Sequence, residues 1–185
     1  MFWITTFLVI AILIGANAIY VAAEFSTVSS RPSRLSQYAD EGNHTARVIL
    51  DIVEHPHKLD AYVATCQVGI TLSSLVLGYY GQAQLSDSVT QILAKLGWGS
   101  EAAAESISAT VILIILSIFQ VWLGELVPKN IGIQIPERLA ILTNTIMRWS
   151  GVIFNPLIWL FNGSGLLLMR IFNLEPDSEP IGWRP

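Results

Sequence analysis

Two carboxylates stand where long apolar runs end, and both have oxygen-bearing neighbours that a cation could use. Glu125, in Gly124-Glu125-Leu126-Val127-Pro128-Lys129, follows a run from Ser106 to Gly124 that carries no charge. Glu24, in Ala23-Glu24-Phe25-Ser26, follows the uncharged stretch from Phe2 to Ala23 and is trailed by Ser26, Thr27, Ser29 and Ser30. An ionisable group in a membrane segment is costly and is a functional hypothesis by default. Carboxylate and hydroxyl oxygens are hard ligands that suit magnesium or calcium better than softer metals. Pro128 has no amide hydrogen and disfavours helix at the residue before it, so the helix bearing Glu125 is expected to end within a turn of the carboxylate. For Glu24 taken alone, an interfacial carboxylate in the wet headgroup zone is an equal alternative.

The composition places these groups in a bilayer. The 185 residues are 52% hydrophobic and 13% charged, with a mean hydropathy of +0.55, which no ordinary soluble domain shows. A net charge of -4 without a dense Lys/Arg cluster argues against nucleic acid as a partner. The single cysteine, Cys66, cannot form an intrachain disulfide, so stability must come from helix packing and the lipid boundary.

Three runs are expected to span the membrane. Phe2–Ala23 is about one span long at ~20 residues per crossing. Ala16-Asn17-Ala18 resembles a signal-peptide cleavage site, but no positive residue precedes the apolar stretch, which disfavours cleavage. Ala61–Ser86 is the second span, with Asp60 as its expected N-cap. Its first half is dense in Thr65, Gln67, Gly69, Thr71, Ser73 and Ser74, either for close helix packing or for a local unwinding near Gly69 that frees carbonyl oxygens. Gly78-Tyr79-Tyr80-Gly81 reads as its interfacial aromatic end. The third span runs from Ser106 to about Val127.

Between the first two spans, Arg31–Asp60 is polar and is expected to hold one short helix from Pro32 to near Gly42 and another with Val48, Ile49, Ile52 and Val53 as its apolar side, ending at Pro56. His44, His55 and His57 lie here with loop-like spacing and no Cys partners, the pattern of surface histidines. Asn43-His44-Thr45 matches a glycosylation sequon that would be silent in a cytoplasmic loop. The connector Gln82–Glu105, with a turn at Gly97-Trp98-Gly99, is poor in Lys and Arg. The positive-inside rule therefore puts the N-terminus and this connector outside, the Arg31–Asp60 loop and the C-terminus in the cytoplasm, and Glu24, the start of the second span and Glu125 at one end of the bundle. Leu139–Trp149 carries a helical apolar stripe suited to the interface, and Trp149–Met169, interrupted by Asn155, Pro156, Asn162, Gly163, Ser164 and Gly165, is expected to be a broken, membrane-hugging belt. A transmembrane domain would then occupy residues 1–172, and the Pro- and acid-rich residues 173–185 a cytoplasmic linker.

No nucleophile has a partnered base. Ser26 or Ser73 would need a membrane-embedded histidine, and all three histidines lie in the polar loop, so an enzyme is not expected. Proton or sodium coupling through Glu24 or Glu125 is easier to defend.

Ala23-Glu24-Phe25-Ser26, Ser33-Arg34-Leu35 with Glu41-Gly42-Asn43, Gln67-Val68-Gly69-Ile70-Thr71-Leu72 and Gly124-Glu125-x-x-Pro128-Lys129, in that order over nearly the whole chain, resemble the membrane domain (DUF21) of the CNNM/CorC magnesium transporter family. The resemblance implies an all-α integral membrane homodimer with three transmembrane helices per protomer, short cytoplasmic helices and an amphipathic juxtamembrane belt helix. It implies a magnesium ion as bound substrate, sodium-driven export, no required cofactor, and a bacterial inner membrane location. Carried over by motif, the metal ligands would be Glu24, Ser26, Gly69, Thr71 and Glu125. Where members often read Ser-Glu and Gly-Asn-Thr, this chain has Ala23-Glu24 and Gly69-Ile70-Thr71, one hydroxyl and one amide fewer. Export of another cation, such as a polyamine, is therefore a second expectation, and a membrane anchor or regulator for absent cytosolic CBS domains a third.

Overall fold

A computed structural model describes residues 2–95 and 101–171, and among these every regular element is helical. Helix α1 is Phe2–Ser29, α2 Pro32–Asp40, α3 His44–Glu54, α4 Pro56–Lys95 and α5 Glu101–Phe119. A π-helical segment, Gln120–Leu126, leads into α6, Val127–Gln134, and α7 is Pro136–Ile171. Among the described residues three helical stretches are long and apolar enough to cross a membrane, namely Phe2–Ser29, Pro56–Lys95 and Ala103–Gln134.

The elements differ from the sequence expectation mainly in running further. The first span does not stop at Ala23: α1 continues to Ser29, so Glu24 lies inside a helix and not at its end. Asp60 is not an N-cap, because α4 already begins at Pro56, where a proline costs no hydrogen bond. There is no unwinding at Gly69, and Gly78–Gly81 is mid-helix, since α4 continues to Lys95. Most of the expected connector is thus helix, while the turn at Gly97-Trp98-Gly99 lies outside the described residues. Pro128 does not end its helix either. The turn before it widens, with the Val127 amide reaching back to the Trp122 carbonyl, which makes room for the proline ring, and the chain stays helical to Gln134. The belt is not broken: α7 passes through Asn155 and Pro156 as one helix, losing at most the one bond that Pro156 cannot donate. Residues 173–185, expected to be a linker, lie outside the described residues.

The chain packs as two units. The first combines Met1–Ile19 with Ile70–Pro128, around Ile10, Ile14, Leu77, Ile112 and Leu116. The second combines Tyr20–Gly69 with Lys129–Pro185, around Ala23, Leu35, Ile49, Ile52, Tyr62, Cys66, Ala140 and Met147. In the second unit α2 opens on Pro32 and closes at Gly42, whose φ of 93° lies in the left-handed region. Asn43 then caps α3, its side-chain oxygen accepting the Ala46 amide at 3.1 Å. The side chains of Ile49 and Ile52, one helical turn apart, are the buried face of α3.

Small residues set the close approaches. A Cβ on Gly132 of α6 would come within 3.2 Å of the Ser26 amide nitrogen and 3.3 Å of the Ala22 carbonyl oxygen, backbone that cannot give way. A Cβ on Gly15 would meet nothing within 4 Å beyond its own helix. Gly132→Val is therefore expected to destabilise the protein by about 1–3 kcal/mol, while Gly15→Ala should be neutral or stabilising by ~0.5–1 kcal/mol. Thermal unfolding of both variants in detergent checks this; equal losses would refute the packing described.

Candidate functional site

In the second unit the candidate residues are Glu24, Ser26 and Gly69. Glu24 is half-buried, and Ser26 is fully buried. Because α1 remains helical, these two are about 200° apart around its axis and do not face one another. Ser26 Oγ donates to the Ala23 carbonyl at 3.1 Å, and the Ser26 carbonyl accepts from Ser30 Oγ at 2.8 Å. A donating hydroxyl keeps its lone pairs, so Ser26 retains acceptor capacity for a cation. Gly69 has a steric role: a Cβ there would lie 2.6 Å from the ring of Tyr20. That ring is fixed at its far end by the hydrogen bond between Tyr20 Oη and Ser150 Oγ, 2.9 Å. The Lys129 ammonium sits over the Phe25 ring, 4.6 Å from its centre, a cation–π contact one residue away from Glu24.

In the first unit are Thr71 and Glu125. Thr71 is exposed on α4. Glu125 is half-buried in the π-helical segment, the kind of local irregularity that recurs at functional sites. Behind it lies a polar network that the sequence reading missed. In a regular α-helix the Gly124 carbonyl would accept the amide of residue 128, and Pro128 has none. Asn17 Nδ2 supplies the donor, at 3.0 Å. Asn17 Oδ1 accepts from Ser73 Oγ at 2.9 Å, and Gln120 Nε2 donates to Ser74 Oγ at 2.9 Å. Gln120 Oε1 is buried without a protein partner among the described residues. The available signal was that Asn17 and Gln120 are amides inside otherwise apolar runs.

Neither the Glu24 nor the Glu125 carboxylate has a hydrogen bond or an ion pair among the described residues. No three His, Cys, Asp or Glu side chains gather among those residues, so a bound cation would need hydroxyl, carbonyl or water oxygens beside a carboxylate. His44, His55 and His57 are exposed, and His55 lies 3.3 Å from Asp51 on the same helical face.

Described residues that are helical in every regular element, with three apolar spans and carboxylates within them, define an integral membrane protein. It belongs to the CNNM family: residues 8–181 match the Cyclin M transmembrane N-terminal domain. Similar proteins include UPF0053 protein YhdT of Bacillus subtilis, 35% identical over 97% of this chain and 38% of the relative. UPF0053 protein YhdP of the same organism is 34% identical over 95% of this chain and 39% of its own length. A Haemophilus influenzae protein named Polyamine export protein is 28% identical over 94% of this chain and 39% of its own length. The chain thus spans about two fifths of the length of the curated relatives it matches.

The Asn17 network carries its own prediction. Asn17→Leu strands the Gly124 carbonyl and removes one acceptor of Ser73 Oγ, which also reaches the Ile70 carbonyl at 3.0 Å. The substitution should cost about 1–3 kcal/mol. In a Pro128→Ala background the restored amide can serve Gly124, so the same substitution should cost less. Strict additivity in this double-mutant cycle, read by thermal unfolding, would mean that Asn17 is not compensating for the proline.

Proposed function

We propose that this chain moves a cation across the membrane, with Glu24 and Glu125 as the carboxylates that meet it. The observation that carries the reading is that each carboxylate lies half-buried in a membrane-spanning stretch with no hydrogen bond or ion pair among the described residues. An ionisable group inside a membrane segment is costly and is by default a functional-site hypothesis. The Ser26 and Thr71 hydroxyls are the further oxygens proposed to assist, and with them Gly69, whose carbonyl would have to leave the regular helix of α4 to do so. Hard oxygen ligands suit magnesium or calcium; magnesium is proposed from the motif resemblance, and since it dehydrates reluctantly it would keep part of its water shell. Sodium entry is proposed as the driving exchange. The working form is a homodimer in a bacterial inner membrane, with the N-terminus outside and the C-terminus in the cytoplasm.

A second reading is export of a polyamine. It is favoured by the name of the Haemophilus influenzae relative, Polyamine export protein, and by the chemistry of carboxylates, which accept hydrogen bonds from ammonium donors as well as ligating metals. A third is an anchoring role for the longer proteins of which this domain is about two fifths.

Flux through proteoliposomes containing the purified chain separates these. Wild type is expected to carry magnesium, and Glu24→Ala and Glu125→Ala are each expected to lower the rate by roughly tenfold or more, the scale of a lost charge-assisted contact. Full flux in both variants would defeat the carboxylate assignment. Flux of spermidine but not magnesium would select the polyamine reading, and no flux of either would select the anchor.

A further inference from the structure

The second unit has a cleft of about 520 Å³ outside the residues considered so far. Its lining includes Arg31 and Arg34, just beyond the end of α1, with Tyr38 on α2 and Arg138 at the start of α7. All three arginines are exposed, and none has a carboxylate within ion-pair distance among the described residues. Three guanidinium groups and a phenol around one hollow, with Glu137 as the one carboxylate in its lining, carry a net positive charge that suits a tetrahedral oxyanion, because each guanidinium fork matches two phosphate oxygens.

Glu137, which also lines the cleft, does not neutralise it. The residue is buried, at 6% exposure, in the first turn of α7, where the helix dipole favours a negative charge. Its Oε1 accepts the Arg31 backbone amide at 3.3 Å. That bond holds the two segments that carry Arg31 and Arg138 against each other, and leaves the guanidinium groups themselves unpaired.

The surroundings point to a lipid as the source of the phosphate. Ile133 and Ile135 line the same cleft and are about half exposed. From Arg138 onward, one face of α7 reads Leu142, Ile146, Trp149 and Ile153, all exposed, with Leu142 at 74% and Trp149 at 70%. This spacing of four, four, three and four keeps them on one stripe, headed by Arg138. A helix of this kind lies in the membrane interface, apolar stripe towards the acyl chains and basic end at headgroup depth. We infer that the Arg31–Arg34–Arg138 cleft binds the phosphate of an anionic phospholipid headgroup, whose acyl chains lie along Ile133, Ile135 and the apolar stripe of α7.

The test uses the purified full chain in detergent, with thermal unfolding followed during titration with short-chain phosphatidylglycerol, with phosphatidylcholine of the same chain length, and with inorganic phosphate. Phosphatidylglycerol is expected to raise Tm saturably, and phosphatidylcholine much less, since ligand that binds only the folded state stabilises it by mass action. In the Arg34→Gln/Arg138→Gln double variant the apparent affinity for phosphatidylglycerol should fall about tenfold or more, with the lipid-free Tm unchanged. Equal responses to the two lipids, or a variant that keeps the wild-type response, would overturn the inference. If inorganic phosphate alone reproduces the whole rise, the cleft takes a soluble phosphate and the lipid assignment fails. Native mass spectrometry of the wild type, counting retained phosphatidylglycerol against phosphatidylcholine, decides the matter independently of how well the variant folds; no preference there would also refute it.

Discussion

Hydrocarbon offers no hydrogen bonds, so every backbone amide and carbonyl within the membrane must be satisfied by the protein itself. Most of this chain's described elements follow from that constraint. Helices continue through Gly69, Pro128 and Asn155-Pro156, positions that in water would be natural places to stop. At Pro128 an amide donor is missing, and the deficit is met in two ways: a wider turn over Gln120–Leu126 and a side-chain donor from Asn17. The segment that presents Glu125 owes its shape to that repair.

The same constraint explains which parts of the fold were legible in the sequence. Apolar runs located the three spans, and Pro32, Gly42 and Pro56 marked the short helices between the first two correctly, because that region is polar and ordinary turn and capping chemistry applies there. Boundaries failed where those aqueous rules were extended into the spans. Asp60 followed by an apolar run looks like a cap, yet the helix had begun at Pro56. Gly69 looks like a break, yet it is the space into which the Tyr20 ring fits.

The site was legible in part. Glu24 and Glu125 stand out in any reading of charge against hydropathy, and both occur within spanning helices. The motif residues around them are less simply arranged than their adjacency implies: with α1 helical throughout, Glu24 and Ser26 belong to different faces of it. Asn17 and Gln120 were overlooked because a neutral amide perturbs a hydropathy profile far less than a carboxylate does. Their importance depends on partners 107 and 46 residues away, which no local window contains.

Those long separations bear on how the protein is made. The Tyr20 hydroxyl waits for Ser150, 130 residues later in the chain, and the Asn17 amide waits for Gly124. At ~5–20 residues per second, the interval between synthesis of Tyr20 and of Ser150 is on the order of ten seconds. Throughout it the first helix holds polar side chains whose final partners do not yet exist. Insertion of α1 must therefore tolerate provisional hydrogen bonding, to water, to lipid headgroups or to the insertion machinery, and the order of translation decides which polar groups are exchanged last.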